Sequence, residues 1–328
     1  MRSSIFKEVK KSRMKYAFVL FSFTMCFSAA AQTGRLLELK EYFVSDSSFR
    51  QPALKKSKDK IFERTIDLYQ ITYLSDSFRV KGFVAIPHKG DNFPCIIFNR
   101  GGNGSYNMLA KESFANKIAF LVNKGYIVIA SQYRGSEGSE GRDELGGGDV
   151  NDVVSLIVTL QSIPKADTSR IGMFGWSRGA INTFLTLTKV SEIKAAVVGA
   201  GFTNLISLKE TRKLLDTGLY SRQIPNYSKT KDEDLLKARS AFFFSEKIAK
   251  TTPILLLQGT ADKNVPASQA LSLAQKFYEV KQPFRLIVYE GGTHSLDQFK
   301  NEYEIEIIKW FNTYLRDGNI HPSLEIRN

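Results

Sequence analysis

The chain has 328 residues, 43% of them hydrophobic, and carries 46 Lys and Arg against 33 Asp and Glu, a formal net charge of +13. That length and apolar content suffice for one large core or two small ones, and with no internal repeat or low-complexity linker the expectation is a single domain. The cations are scattered, as at Lys55, Lys56, Lys58 and Lys60, in the manner of a solvated face, which speaks against a nucleic-acid partner.

The first element in chain order reads as a targeting segment. A basic start, MRSSIFKEVKKSRMK, leads into the apolar run YAFVLFSFTMCFSAAA and then Gln32, the layout of a secretory signal cut after Ala31. The apolar run is shorter than the roughly 20 residues that cross a bilayer, so no stable membrane anchor is expected after cleavage. Met25 is too bulky to precede an acylated cysteine, which argues against lipidation at Cys26. Removing residues 1–31 takes six of the 46 basic residues and one of the 33 acids, leaving 40 against 32. A secreted, periplasmic location is therefore expected. Cys95 is then the only cysteine, so no intramolecular disulfide can form, and its setting in PCIIF reads as inert core.

Residues 32–65 read as an N-terminal extension, and the domain proper is expected over 66–328. Short runs rich in β-branched and aromatic residues predict eight strands: 66–74, 80–87, 95–99, 126–132, 170–175, 195–200, 253–259 and 284–290. Several are apolar throughout, as strands covered on both faces must be. Helical patterns near 107–124, 149–163, 178–190, 267–279 and 299–315 lie between them. This alternation predicts an α/β fold with a mostly parallel eight-stranded sheet and helices on both faces, its first two strands forming an antiparallel edge.

Two segments break the rhythm. QYRGSEGSEGRDELGGGD (132–149) is rich in glycine, but no Gly-Lys-Ser/Thr follows it, and Glu137, Glu140, Asp143 and Glu144 would repel phosphate. It reads as a structured turn beside the sheet. Residues 202–250, polar and helical in places, intervene between two strands and read as a lid over a ligand crevice. The lid carries Phe202, Leu205, Leu208, Tyr220, Tyr227 and Phe242-Phe243-Phe244, which either line an apolar substrate pocket or pack the lid onto the sheet.

The chemistry is expected where the strands end. GWSRG sets Ser177 between Gly175 and Gly179 where RIGMFG gives way to a helical pattern, the setting of a nucleophile on a tight strand-to-helix turn. A serine hydroxyl is weak at neutral pH and needs a base, which in turn needs an orienting carboxylate. His294, in the Gly-Gly loop after the last predicted strand, is the candidate base, whereas His88 and His321 read as surface residues. Asp262, just after the preceding strand, is the candidate acid, and its rival Asp297 sits at an expected helix start that suits an N-cap. The order Ser177, Asp262, His294 is that of an α/β-hydrolase. The backbone N–H of Arg178 and one from the Gly101-Gly102-Asn103 turn are the expected oxyanion donors. The Arg178 side chain reads as a surface or lid contact, and Arg100, Trp176, Phe202 and Tyr220 as substrate contacts. No cluster has metal-ligand spacing, so neither metal nor cofactor is expected.

GWSRG, QGTADKNVP, GGTHS, YRGSEGSEG and FNRGGNGS together resemble the catalytic domain of the prolyl oligopeptidase (S9-type) family, over about residues 80–315. The resemblance implies an α/β-hydrolase fold and a serine hydrolase working through an acyl-enzyme on small peptides, with a carboxylesterase as the alternative and a non-catalytic binding protein of the same fold as a further one. Two departures stand out. Family peptidases usually carry an N-terminal β-propeller, for which residues 32–65 are too short. Several also place an oxyanion-donating tyrosine where this chain has Arg100. Nothing in the sequence speaks to the oligomeric state.

Overall fold

A computed structural model describes residues 33–44, 65–104 and 106–321. The expected signal segment 1–31 and most of the extension lie outside the described residues. Nine strands form one sheet: β1 (Leu36–Tyr42), β2 (Ile66–Ser75), β3 (Phe78–Pro87), β4 (Phe93–Asn99), β5 (Ile127–Ser131), β6 (Ala166–Trp176), β7 (Ile193–Gly199), β8 (Ile254–Gly259) and β9 (Phe284–Tyr289). Their spatial order is β1-β2-β3-β5-β4-β6-β7-β8-β9. From β1 to β5 the neighbours are antiparallel, and from β5 through β9 they are parallel.

Eight of these strands fall where the apolar runs place them. The ninth, β1, corrects the expected count and starts the sheet inside the segment taken for an extension. Its sequence LLELKEY buries only Tyr42 and exposes four consecutive residues, so it lacks the apolar signature of a covered strand. Backbone pairing with β2 holds it, and its charged residues suit an outer edge that must not recruit further strands.

Helices cover both faces. α1 (Lys111–Val122) lies on one face, α2 (Asp149–Leu160) and α3 (Gly179–Leu187) on the other. Between β7 and β8 the chain forms α4 (Leu205–Thr211) and a series of shorter turns, then continues through α5 (Ser268–Glu279) and α6 (Lys300–Phe311). Phe114, Ile118, Trp310 and Phe311 join Ile96, Val128 and Leu255 in one core layer, while Leu156, Phe184 and Phe277 join Ile97, Met173 and Leu256 in the other. Leu205, Leu208, Leu219, Tyr220 and Tyr227 form a separate small core that fastens the insertion onto Ile181 and Val265. β5 and β8 are buried at every residue, as two-sided coverage requires.

The junction between β6 and α3 is built on close approach. A Cβ at Gly179 would lie 2.1 Å from the carbonyl oxygen of Asn99, and one at Gly175 would lie 2.7 Å from that of Gly179. Neither carbonyl can retreat without breaking the sheet or the first turn of the helix. Gly179→Ala is therefore expected to destabilise the protein by about 1–3 kcal/mol, the usual range for forced overpacking, as read by urea unfolding. A stability equal to the wild type would mean that α3 can shift away from β4 at no cost.

Candidate active site

Ser177 follows β6 with φ +56°, a left-handed conformation uncommon outside glycine that costs about 1–3 kcal/mol unless its surroundings enforce it. Here they do. The Ser177 N–H donates to Gly199 O at 2.8 Å, and its carbonyl accepts from Ala180 N at 3.1 Å and Phe202 N at 3.2 Å. The hydroxyl is thereby presented above the parallel strands' carboxyl ends.

His294 reaches it from the loop after β9. Its Nε2 lies 3.0 Å from Ser177 Oγ and its Nδ1 2.8 Å from Asp262 Oδ2. The other carboxylate oxygen of Asp262 accepts the N–H groups of Asn264 and Val265, each at 2.8 Å. Burial pushes the Asp262 pKa up, but the His294 contact and these two N–H donors outweigh it and hold the carboxyl below its ordinary value. The two loops are tied together, with Ala261 N donating to Gly292 O at 2.9 Å and Trp176 Nε1 donating to His294 O at 3.1 Å. The rival acid is elsewhere: Asp297 accepts from Ser295 Oγ at 2.5 Å at the start of a short 3-10 turn. His88 pairs with Asp67 at 2.8 Å, joining β2 to the end of β3.

Four expectations need correction. The Asn103 N–H is given to Tyr106 O at 3.1 Å, so it leaves the set of oxyanion donors. The N–H groups of Gly101, Gly102 and Arg178 donate no hydrogen bond among the described residues. The Arg178 side chain is no surface contact: it is 2% exposed, donates to Asp143 at 2.5 and 2.9 Å and to Asp149 at 2.8 Å, and sits 4.7 Å from the Tyr133 ring centre. Burial opposes its charge, yet the two carboxylates outweigh it and raise its pKa. Arg100 stands at the wall of a cavity, but its guanidinium turns inward to the carbonyls of Gly101, Gly104 and Gln132 at 2.8–3.1 Å. Burial and the neighbouring Arg178 push its pKa down to about 10. Tyr220 is buried in the lid's own core, with its hydroxyl donating to Leu205 O at 3.2 Å.

The two arginines share a purpose. Arg100 holds the carbonyls of Gly101 and Gly104, and Arg178 Nη1 holds that of Gly102 at 3.3 Å. With its carbonyls drawn inward, the loop after β4 is free to present N–H groups to Ser177. Sequence reasoning missed Tyr133, Asp143 and Asp149 in this role, although a glycine-rich loop dense in acids was the available signal. The expected inertness of Cys95 has a physical basis, since burial raises its thiol to about 12.

Ser177 and His294 stand between two cavities. One, about 720 Å³, lies under the lid and is lined by Phe202, Leu215 and Leu219 together with charged residues of the α4 end. The other, about 330 Å³, is walled by Phe98, Phe120, Phe174, Trp176 and Tyr303. Phe202 and Trp176 therefore stand where substrate contacts were expected. The run Phe242-Phe243-Phe244 lines neither cavity, and Phe244 packs into the main core.

A strained serine on a strand-to-helix turn, with histidine and aspartate delivered by the last two strands of a mostly parallel sheet, defines a serine hydrolase of the α/β-hydrolase fold. The chain belongs to the prolyl oligopeptidase family, whose model matches residues 112–318. It is 29% identical over 247 residues to the uncharacterized peptidase YtmA of Bacillus subtilis (strain 168), covering 75% of this chain and 93% of that one. It is 26% identical over 239 residues to acylamino-acid-releasing enzyme 1 of Oryza sativa subsp. japonica, covering 68% of this chain but only 30% of that much longer protein. Among solved structures, the acylaminoacyl peptidase of Pyrococcus horikoshii superposes with a TM-score of 0.64 at 22% identity, over 77% of this chain and 42% of that one. Acetyl xylan esterase 1 from Thermoanaerobacterium sp. JW/SL YS485 superposes with a TM-score of 0.56 at 15% identity, over 78% and 87%. These likenesses are of fold.

Proposed function

We propose that the protein is a serine peptidase acting on small peptides, exported from the cytoplasm, with Ser177, His294 and Asp262 as its catalytic residues. The observation that carries the reading is the 3.0 Å and 2.8 Å relay from Ser177 through His294 to Asp262, open to a cavity on either side. Similarity to a named peptidase along nearly its whole length favours peptides over esters. Ser177 Oγ attacks the scissile carbonyl while His294 Nε2 takes its proton. The N–H of Arg178, with that of Gly101 or Gly102, receives the oxyanion, and Asp262 holds the imidazole in the tautomer that accepts at Nε2. The proton passes to the departing amine, and water then releases the acyl group by the same steps in reverse order of partners.

Export rests on the sequence of residues 1–31, and N-terminal sequencing of the periplasmic form is expected to begin at Gln32. Substrate class is tested by turnover of blocked and unblocked short peptide amides beside activated short-chain esters. Esters have the better leaving group and are expected to be cleaved in either case, so their turnover alone decides nothing. Amide turnover is the expected discriminating result. Amides left uncut under conditions where esters are rapidly hydrolysed would replace the peptidase with a carboxylesterase.

A further inference from the structure

The larger cavity has a charge that the catalytic relay does not use. Besides Ser177 and His294, its wall includes Arg212, Lys213 and Arg222 from the lid. Lys213 and Arg222 are exposed, and Arg212 is half-buried. None of the three forms an ion pair among the described residues. Three of the lid's acids are otherwise engaged: Glu233 pairs with Lys209, Asp234 with Lys237, and Asp216 with Lys231 while also accepting from the Tyr227 hydroxyl. Asp232 accepts the Asp234 N–H at the start of a helical turn. Arg178, the remaining cation of the wall, is neutralised by Asp143 and Asp149. Glu210 is the single carboxylate that shares the wall with the three free cations.

Unpaired cations on a surface are ordinary, because long side chains gain little from exposed ion pairs. Three in the concave wall of one cavity that also holds the nucleophile are a different matter, since low-dielectric walls focus their field onto whatever enters. The position of Arg212 is fixed, with Nη1 donating to Asn264 O at 2.9 Å, in the same loop that carries Asp262. Arg222 is held by its backbone, whose carbonyl accepts from Arg142 Nη2 at 2.6 Å. The lid thus brings three cations, Arg212 anchored through its guanidinium, to one side of Ser177, while the opposite cavity is walled by aromatic rings together with charged residues of both signs.

We infer that Arg212, Lys213 and Arg222 form a subsite for a carboxylate of the substrate, so that the enzyme selects peptides bearing an acidic group on the lid side of the scissile bond. This deepens the peptidase reading and rests on it. The carboxylate can come from an acidic side chain or from a free C-terminus, and both present the same two oxygens to a guanidinium or ammonium. An apolar or aromatic side chain on the other side of the bond would fill the smaller cavity.

The test measures occupancy without requiring cleavage. Wild-type protein is labelled at Ser177 with a neutral fluorophosphonate in the presence of three competitor peptides: a blocked Phe-Gln-Gln amide, the same peptide with Glu for Gln, and the neutral peptide with a free C-terminal carboxylate. At low ionic strength at least one acidic form is expected to protect Ser177 at about tenfold lower concentration than the neutral amide. The advantage should shrink in 0.5 M salt, where exposed charges are screened. Which acidic form wins identifies the source of the carboxylate. Lys213→Gln with Arg222→Gln, which leaves Arg212 alone in the patch, is expected to cut the advantage of the acidic peptides several-fold, and Glu210→Gln to widen it. Equal protection by all three peptides in the wild type overturns the subsite, as does a preference undiminished in the double variant. Cleavage of the same peptides is scored separately: protection without cleavage would leave the subsite standing and remove the peptidase reading.

Discussion

Ser177→Ala is expected to lower kcat by about a million-fold on any substrate the enzyme turns over, the scale reached when a serine-protease nucleophile is removed. The reason is geometric. Oγ lies 3.0 Å from the base, on a backbone whose strained φ is enforced by hydrogen bonds with Gly199 at the end of β7, Phe202 just beyond it and Ala180 of α3. Because the role proposed for His294 is to move the Ser177 proton, Ser177→Ala combined with His294→Ala should cost little more than either change alone. Asp262→Asn should cost less, about ten-thousand-fold, because it disturbs the tautomer and leaves the nucleophile in place. Steady-state kinetics on one ester and one peptide amide supply the comparison, and fluorophosphonate labelling supplies a readout independent of substrate choice. Labelling of Ser177→Ala at the wild-type rate would falsify the assignment and favour a binding protein that keeps the fold without the chemistry.

The second large effect concerns the charges under the loop after β4. Arg178→Met removes the cation that neutralises Asp143 and Asp149, whose side chains are 5% and 0% exposed. Breaking a buried pair from one side typically costs about 3–5 kcal/mol, because the stranded charge has neither partner nor water. Here Asp143 and Asp149 keep backbone N–H donors but lose their countercharge, so unfolding in urea should show a loss within that range. The substitution keeps the Arg178 N–H but frees the Gly102 carbonyl from Nη1, so activity should fall as well while Ser177 stays in place. Arg178→Lys keeps the charge without the planar fork that engages both acids, and is expected to fall between the two. A loss of stability below about 1 kcal/mol in Arg178→Met, with kcat/KM unchanged, would show that neither the pair nor the loop depends on this side chain.

Much of this molecule was readable in one dimension because the determining interactions are local. A run such as Cys95–Phe98 is apolar throughout since both faces of β4 are covered, and that requirement leaves its mark residue by residue. Ser177, Asp262 and His294 were legible for a related reason: each stands in a loop just beyond a strand, and the strand order of the fold brings those loops together. Gly175 and Gly179 announced their close contacts through the lack of a side chain. The sequence by itself therefore determined eight strands of the sheet, the main helices that cover it and the three residues of the relay. Tertiary structure decided what depends on partners distant in the chain. β1 carries the pattern of a polar connector, and only pairing with β2 makes it a strand. Tyr220 and Phe202 both pack in the lid core, yet Tyr220 is sealed within it while Phe202 also lines the cavity. Arg178 was assigned to the surface because charges are exposed by default. Its burial became favourable only when a loop 29–35 residues upstream placed two carboxylates around it, since a charge leaves water only where opposite charge and hydrogen bonds replace the solvent.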